Sequence, residues 1–176
     1  MGSVTKTFKQ TFANRVLSVL PSKMKATFYL RAFGFLKVPL IFFCRPSVVD
    51  LTDDQCVIKI PLSRRTKNHL NSMYFGTLAV GADCAGGLMA MRWIEAEGNR
   101  ASLVFKDFQA KFLKRPEGDV LFTCKDGKAI SELVRKALET GERQYMPVHI
   151  TATVPSKLGT EPVAEFILTL SVKKTR

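Results

Sequence analysis

One carboxylate, Asp83, lies within the otherwise apolar stretch YFGTLAVGADCAGGLMAM, which covers residues 74–91. Burying an unpaired carboxylate costs on the order of several kcal/mol, so neighbouring groups must either satisfy this side chain or use it. Apolar surroundings raise the pKa of a carboxyl group and make the carboxylate a better base or nucleophile. The same group can instead accept hydrogen bonds from hydroxyl or amide groups at a subunit interface. Asp83 is therefore the first candidate for a functional residue.

The same stretch predicts one long helix over residues 75–95, apolar on nearly every side. This pattern is typical of a helix that other structure surrounds. Gly76, Gly81, Gly86 and Gly87 each disfavour a helix interior by roughly 1 kcal/mol relative to Ala. They indicate that something approaches the helix closely, either packed strands and helices or a bound apolar chain.

Hydrophobic periodicity on either side predicts the elements that hold this helix. We expect an amphipathic helix at 8–20, two strands within 39–52 and 55–62, a strand at 103–112 with a bulge near Asp107, a strand at 120–124, a helix at 129–140, and strands at 145–155 and 162–173. The chain is expected to form a helical extension at 1–37 and a single globular unit at 38–176. The fold class is α+β, with an antiparallel sheet around the central helix.

The segment NSMYFGTLAVGAD, residues 71–83, resembles the part of hotdog thioesterases in which an Asn, a Gly-containing turn and an acidic residue lie at the start of the central helix. Gly76 and Asp83 have the spacing of the second Gly of the HGG motif and the catalytic Asp in the phenylacetate-pathway thioesterases. The NxxxFG form is closer still to an uncharacterised hotdog-clan family grouped with thioesterase-like domains of the YiiD type. The resemblance implies a hotdog fold with an extra N-terminal helix.

The resemblance also implies hydrolysis of an acyl thioester, with Asp83 as general base or nucleophile. The backbone amides of Gly76 and Thr77 would stabilise the negative charge on the carbonyl oxygen, and Asn71 would orient the water or the thioester. Gly76 and Asp83 are seven positions apart, roughly 10 Å along a helix, so they cannot both contact one carbonyl. In hotdog dimers the Asp of one subunit typically faces the Gly turn of the other, which predicts a homodimer or a dimer of dimers.

Tyr74 and Phe75 stand where the phenylacetate-type enzymes have His and the first Gly, and both are expected to border the substrate. Because the motif histidine is absent, a non-catalytic hotdog protein that binds acyl groups or acyl-CoA is an alternative to an enzyme. Asn71 can equally cap the central helix or shape its entry turn.

The basic residues Arg64, Arg65 and Lys67 precede the Asn71 turn and are expected either to face solvent or to hold the phosphates of coenzyme A. A net charge of +12 attracts phosphates, acidic proteins or anionic membranes, so an acidic acyl carrier protein would suit the chain as well as acyl-CoA. The basic residues are spread along the chain without an RGG or aromatic-plus-basic motif. We therefore expect no nucleic-acid partner.

The start of the chain lacks the apolar core of a signal peptide, and the apolar run at 28–44 is interrupted by charge, so we expect a cytoplasmic protein. Phe8 and Phe12, with neighbouring lysines, keep a third hypothesis open: an interaction protein with peripheral membrane contact.

The cysteines lie in apolar stretches and form no CxxC pair, and the two histidines fall near no metal-ligand spacing. These cysteines are Cys44, Cys56, Cys84 and Cys124. We expect buried thiols, with no disulfide, no metal and no other cofactor.

Overall fold

The computed structural model describes residues 21–175. The helices are α1 Ser22–Lys37, α2 Pro39–Cys44, α3 Phe75–Ala96, α4 Gly127–Thr140 and α5 Pro155–Leu158. The strands are β1 Ser47–Leu51, β2 Cys56–Ile60, β3 Ala101–Phe112, β4 Val120–Cys124, β5 Gln144–Thr153 and β6 Pro162–Lys174. The amphipathic helix expected at 8–20 lies outside the described residues.

All strand pairs are antiparallel, in one 6-stranded sheet of order β1-β2-β4-β5-β6-β3. Alternate residues of the inner strands are buried, as their period-two patterns predict, and α3 packs against this apolar face. The predicted central helix and the predicted strands from residue 101 onward are confirmed to within a few residues. A sheet wrapped around one long helix is the arrangement expected of a hotdog fold.

The predicted bulge in β3 is confirmed, because its register with β6 shifts between Phe105 and Asp107. The shift reverses which side chains face the inner side of the sheet. Beyond it, Phe108 turns its ring toward the buried Phe166, with centroids 5.7 Å apart. β3 is the last strand of the sheet and pairs with β6 alone. Its outer edge has no partner strand within residues 21–175.

The expectation of a strand beginning at residue 39 is wrong. Residues Pro39–Cys44 form a short helix, and β1 begins only at Ser47. Pro39 occupies the first helical turn, where its fixed φ is favourable, and Arg45 ends the helix in a left-handed conformation with φ of 55°. Packing of buried Ile41 and Cys44 against the core therefore overrides the β propensity of this aromatic segment.

Helix α1 lies within the predicted helical extension and packs on the strand that begins the sheet. The amide of Val48 donates a hydrogen bond to Thr27 Oγ1 at 2.8 Å, and Arg31 Nε donates to the Pro46 carbonyl at 2.9 Å. Within residues 21–175, none of the helices combines the length and the apolarity that crossing a membrane requires.

Candidate active site

Asp83 lies in the first half of α3 and forms part of the wall of a cavity of about 440 Å³. The first half of β3 supplies Leu103 and Phe105 to this cavity. Helices α1 and α2, with the residue between them, close another side. The residues that they supply are Ala26, Tyr29, Leu30, Phe33, Val38 and Ile41. The cavity is therefore largely apolar, with Asp83 in the first half of the helix that forms its floor and with Arg92 and Glu95 near the end of the same helix.

The carboxylate of Asp83 receives no hydrogen bond or ion pair from any residue in the range 21–175. Burial raises its pKa above the ordinary value. A Cβ atom at Gly87 would lie 3.6 Å from Asp83 Oδ1 and 3.6 Å from Cζ of Phe105. The missing side chain at Gly87 thus leaves open space between the carboxylate and the aromatic ring. This is the environment of a carboxylate with raised proton affinity beside an apolar binding space.

Backbone amides at the start of α3 provide the second chemical feature. Tyr74 is the N-cap residue, and no side chain caps the helix. The amides of Phe75 and Gly76 have no acceptor among the described residues, so their N–H groups are available at the positive end of the helix dipole. Asn71, three residues before the N-cap, does not cap the helix and instead forms part of its entry turn.

The expected pair of amide donors, Gly76 and Thr77, requires a correction. The Thr77 amide donates a hydrogen bond to the Tyr74 carbonyl at 2.9 Å, because the first turn of the helix is tight. The Thr77 side chain is buried and lies close to the Cys44 thiol. The free pair of amides is therefore that of Phe75 and Gly76.

Aromatic rings surround this helix start. The rings of Tyr74 and Phe75 are about half exposed and lie 4.7 Å apart between centroids. Phe75 also meets the edge of the Phe112 ring at 6.5 Å. A Cβ atom at Gly76 would lie 2.7 Å from Cε1 of Tyr74, so the ring packs over the glycine. Both aromatic residues border the free amides, and neither lines the Asp83 cavity.

The Asn71 turn brings together part of the predicted phosphate-binding set. Asn71 has a φ of 59°, and its side-chain Oδ1 accepts a hydrogen bond from Lys67 Nζ at 2.8 Å. Arg64, Lys67 and Asn71 line one shallow depression with Leu62 and Ser63. Arg65 is directed elsewhere, with its guanidinium 5.4 Å from the centroid of the Phe43 ring.

The predicted site residues therefore fall into two groups within one chain. Asp83 lies in the cavity, whereas Asn71, Gly76 and Thr77 lie at or before the first turn of α3 and do not line it. The sequence interpretation also missed the walls that α1 and α2 contribute. Ala26, Tyr29, Leu30 and Phe33 recur at helical spacing, and this pattern could have identified the cavity-facing stripe.

The buried cysteine thiols are not activated nucleophiles. Burial raises the pKa of Cys84, which lines the cavity, well above its ordinary value. Burial likewise raises the pKa of Cys56 to about 12 and that of Cys124 to about 11. A protonated thiol is a poor nucleophile. Among residues 21–175, no three His, Cys, Asp or Glu side chains group closely enough to hold a metal ion.

Residues 20–172 match the family described as Domain of unknown function (DUF4442). The chain belongs to the DUF4442 family. No curated protein matches this DUF4442 chain at a significant level.

Solved structures share the fold of this DUF4442 chain at low sequence identity. PA5026 from Pseudomonas aeruginosa, named as a probable thioesterase, is 20% identical with a TM-score of 0.71, over 89% of this chain and 97% of that chain. OLEI01261 from Chlorobaculum tepidum, of unknown function, is 15% identical with a TM-score of 0.75, over 87% and 97%. Mutant thioesterase PA1618 from Pseudomonas aeruginosa is 14% identical with a TM-score of 0.62, over 88% and 96%. The likeness shows that the chain shares the fold of these structures, and the hotdog fold that its motif predicted is confirmed.

Proposed function

We propose that this protein is an acyl-thioester hydrolase acting on acyl-CoA or acyl carrier protein, with Asp83 as its general base. One observation carries the proposal: a carboxylate without a hydrogen-bond partner in the described range, and with a pKa raised by burial, lies in the wall of an apolar cavity of about 440 Å³. An acyl chain matches the apolar walls, and a base of raised pKa matches the activation of water.

In the proposed reaction, Asp83 accepts a proton from a water molecule as the water oxygen attacks the thioester carbonyl carbon. The carbonyl oxygen becomes negative and is stabilised by helix-terminal amides, for which Phe75 and Gly76 have free N–H groups. The carbon–sulfur bond then breaks, and the proton taken from water passes to the departing thiolate. The products are a carboxylic acid and a free thiol.

The amides and the carboxylate must come from different chains. Gly76 and Asp83 are separated by roughly 10 Å of helix, so we propose a homodimer in which the helix start of one subunit faces Asp83 of the other. The outer edge of β3, which pairs with no other described strand, supports this assembly, because an exposed strand edge is stabilised by pairing with another strand. Phe108 and Phe112 remain about half exposed on the same strand.

The Asn71 depression is the proposed site for the phosphates of the thiol carrier. Lys67 and Arg64 supply positive charge, and the Asn71 carboxamide is oriented by its hydrogen bond from Lys67. An ammonium and a guanidinium group bind phosphate through charge-assisted hydrogen bonds. We also propose a cytoplasmic location, which agrees with four free cysteines.

A non-catalytic protein that binds acyl groups is the second candidate. Tyr74 replaces the motif histidine, and its ring packs over Gly76, next to the free amides. If that ring blocks the amides, the cavity could still hold an acyl chain without hydrolysis.

Thiol release from acyl-CoA and acyl carrier protein substrates, over short to long chains, tests the proposal. We expect turnover that saturates with substrate and reaches its highest kcat/KM with chains that fill the cavity. Saturable binding of the same substrates without thiol release would instead favour the second candidate. Absence of both would contradict both functions.

A further inference from the structure

Helices α1 and α2 expose an unusually large set of apolar side chains. The α1–α2 surface consists of Met24, Phe28, Phe35, Leu36, Leu40, Phe42 and Phe43. Leu36 is 72% exposed and Phe35 is 65% exposed. Contiguous apolar patches of this kind on soluble proteins mark contact sites for proteins or membranes.

The packing of α1 explains why these side chains point outward. Leu30 and Gly34 form the buried face, and a Cβ atom at Gly34 would lie 2.7 Å from the Phe42 backbone nitrogen. The two helices therefore meet at Gly34, and residues 21–175 leave the opposite face of α1 uncovered. Across the junction, Phe35 and Phe42 contact each other with ring centroids 5.3 Å apart. The exposed residues of the two helices thus form one continuous surface.

The segment that carries this surface contains basic and no acidic side chains, although Glu95 lines the cavity next to it. The first acidic residue in the chain is Asp50, whereas Lys37 and Arg45 lie on or beside the two helices. Arg65 is also held here, over the ring of Phe43. Some nearby basic groups serve the fold, since Lys23 forms an ion pair with Asp50. Exposed aromatic and aliphatic side chains with basic residues beside them match an anionic lipid surface.

We propose that the α1–α2 surface docks the protein onto anionic lipid bilayers. A second copy of the chain is a weaker match, because a two-fold contact through this surface would bring two basic patches face to face. A bilayer accepts the apolar side chains between its headgroups and supplies the opposite charge. Docking of this type is interfacial and involves no spanning segment.

The cavity opens beside the docking surface. Tyr29, Phe33 and Val38 line the cavity and are also exposed. An acyl chain held in the bilayer could therefore enter the cavity next to the lipid surface. This consequence rests on the proposed hydrolase function, whereas docking itself does not.

Co-sedimentation of the full chain with lipid vesicles tests the docking. The probes are vesicles of phosphatidylcholine alone and of phosphatidylcholine with about one third phosphatidylglycerol. We expect binding to the anionic vesicles that weakens as salt is raised, and much weaker binding to the neutral ones. Leu36→Gln should weaken binding about tenfold, the effect of losing one buried leucine side chain. Its matched control, Leu113→Gln, changes a leucine that is 51% exposed on another part of the surface and should leave binding unchanged.

Charge is tested separately by Lys37→Glu, which should weaken binding to anionic vesicles, with Lys125→Glu as its control. Docking would be overturned if each variant and its control weakened vesicle binding equally. It would also be overturned if the wild type did not bind anionic vesicles at about 0.1 M salt. Docking would also be overturned if the protein did not bind vesicles and Leu36→Gln lowered the mass of the oligomer. The α1–α2 surface would then be a contact between chains. Thiol release measured without vesicles keeps the two proposals apart, because retained turnover without vesicle binding removes only the docking.

Discussion

Gly81 on α3 faces the ring of Phe122 on β4 so closely that a Cβ atom on the glycine would lie 2.3 Å from Cε2 and Cζ of the ring. Phe122 is fully buried and also lies near the Phe166 ring, with centroids 6.4 Å apart. The ring therefore has little freedom to move away. This contact sets how closely the central helix approaches the sheet, and so where Asp83, two residues later, meets the cavity.

Gly81→Ala should destabilise the protein by about 1–3 kcal/mol, because the added methyl group overpacks the contact with Phe122. Gly87→Ala is the matched control on the same helix. Its Cβ atom would have only ordinary contacts at 3.6 Å, and alanine favours the helix by up to about 1 kcal/mol. Urea unfolding measures both variants. Equal free energies of unfolding for the two would show that α3 does not press on the sheet at Gly81.

The protein should be at least a dimer at micromolar concentration, as measured by size-exclusion chromatography with light scattering. Val104→Asp should shift it toward monomer, because like charges would face each other where two β3 edges pair. Val49→Asp is the control on β1, at the opposite end of the sheet, where α1 hydrogen bonds to the neighbouring Val48 amide. A monomeric wild-type protein, or equal effects of the two substitutions, would contradict the β3 interface.

Charge reversal of Arg64 and Lys67 together should raise the KM for acyl-CoA about tenfold or more and reduce the dependence of KM on salt. Both side chains line the depression that contains Asn71. Arg65→Glu is the control from the same segment, because Arg65 lies over the Phe43 ring. Steady-state thiol release measures all three proteins. If KM stays unchanged in the double variant, Arg64 and Lys67 are solvated surface residues.

The parts of the fold that are regular in sequence could be predicted closely. The alternation of buried residues through Phe122 and Cys124 indicates strand β4, and the change of parity after Phe105 indicates the bulge in β3. Gly141, directly after the last helical residue, marks the end of α4. Residues 39–44 could not be assigned in this way, because packing of Ile41 and Cys44 against the rest of the core decides their conformation.

The candidate site was predictable residue by residue but not in its geometry. A lone carboxylate in an apolar helix marks Asp83 without any structure. The turn of Arg65 toward Phe43 and the closure of the cavity by α1 depend on tertiary contacts. The hydrogen bond from the Thr77 amide to the Tyr74 carbonyl depends on how tightly the first helical turn is wound. No local pattern encodes these distances, although the stripe from Ala26 to Phe33 indicates an inward-facing helix side.

The pH dependence of stability should distinguish Asp83 from Asn at this position. Below the ordinary pKa of 3.8 the carboxyl group is protonated in both folded and unfolded protein, so the penalty for its charge is absent. As pH rises through the raised pKa of the folded state, the wild type must ionise a buried group and loses stability. The Asp83→Asn variant has no titratable group at this position, so its free energy of unfolding should increase relative to that of the wild type as pH rises. Urea midpoints from pH 3.5 to 8 measure the difference, and a difference independent of pH would contradict a buried carboxylate.

The most direct test of the hydrolase proposal is the kcat of Asp83→Asn with saturating acyl-CoA, measured beside its Kd for the same ligand. The substitution keeps the size of the side chain and removes the base, so kcat should fall about a hundredfold or more while Kd and the oligomeric state are unchanged. Asp54→Asn, which changes an exposed aspartate paired with Lys128, should retain wild-type kcat. A normal kcat per folded molecule of Asp83→Asn would contradict the account, and Asp83 would then be a structural residue.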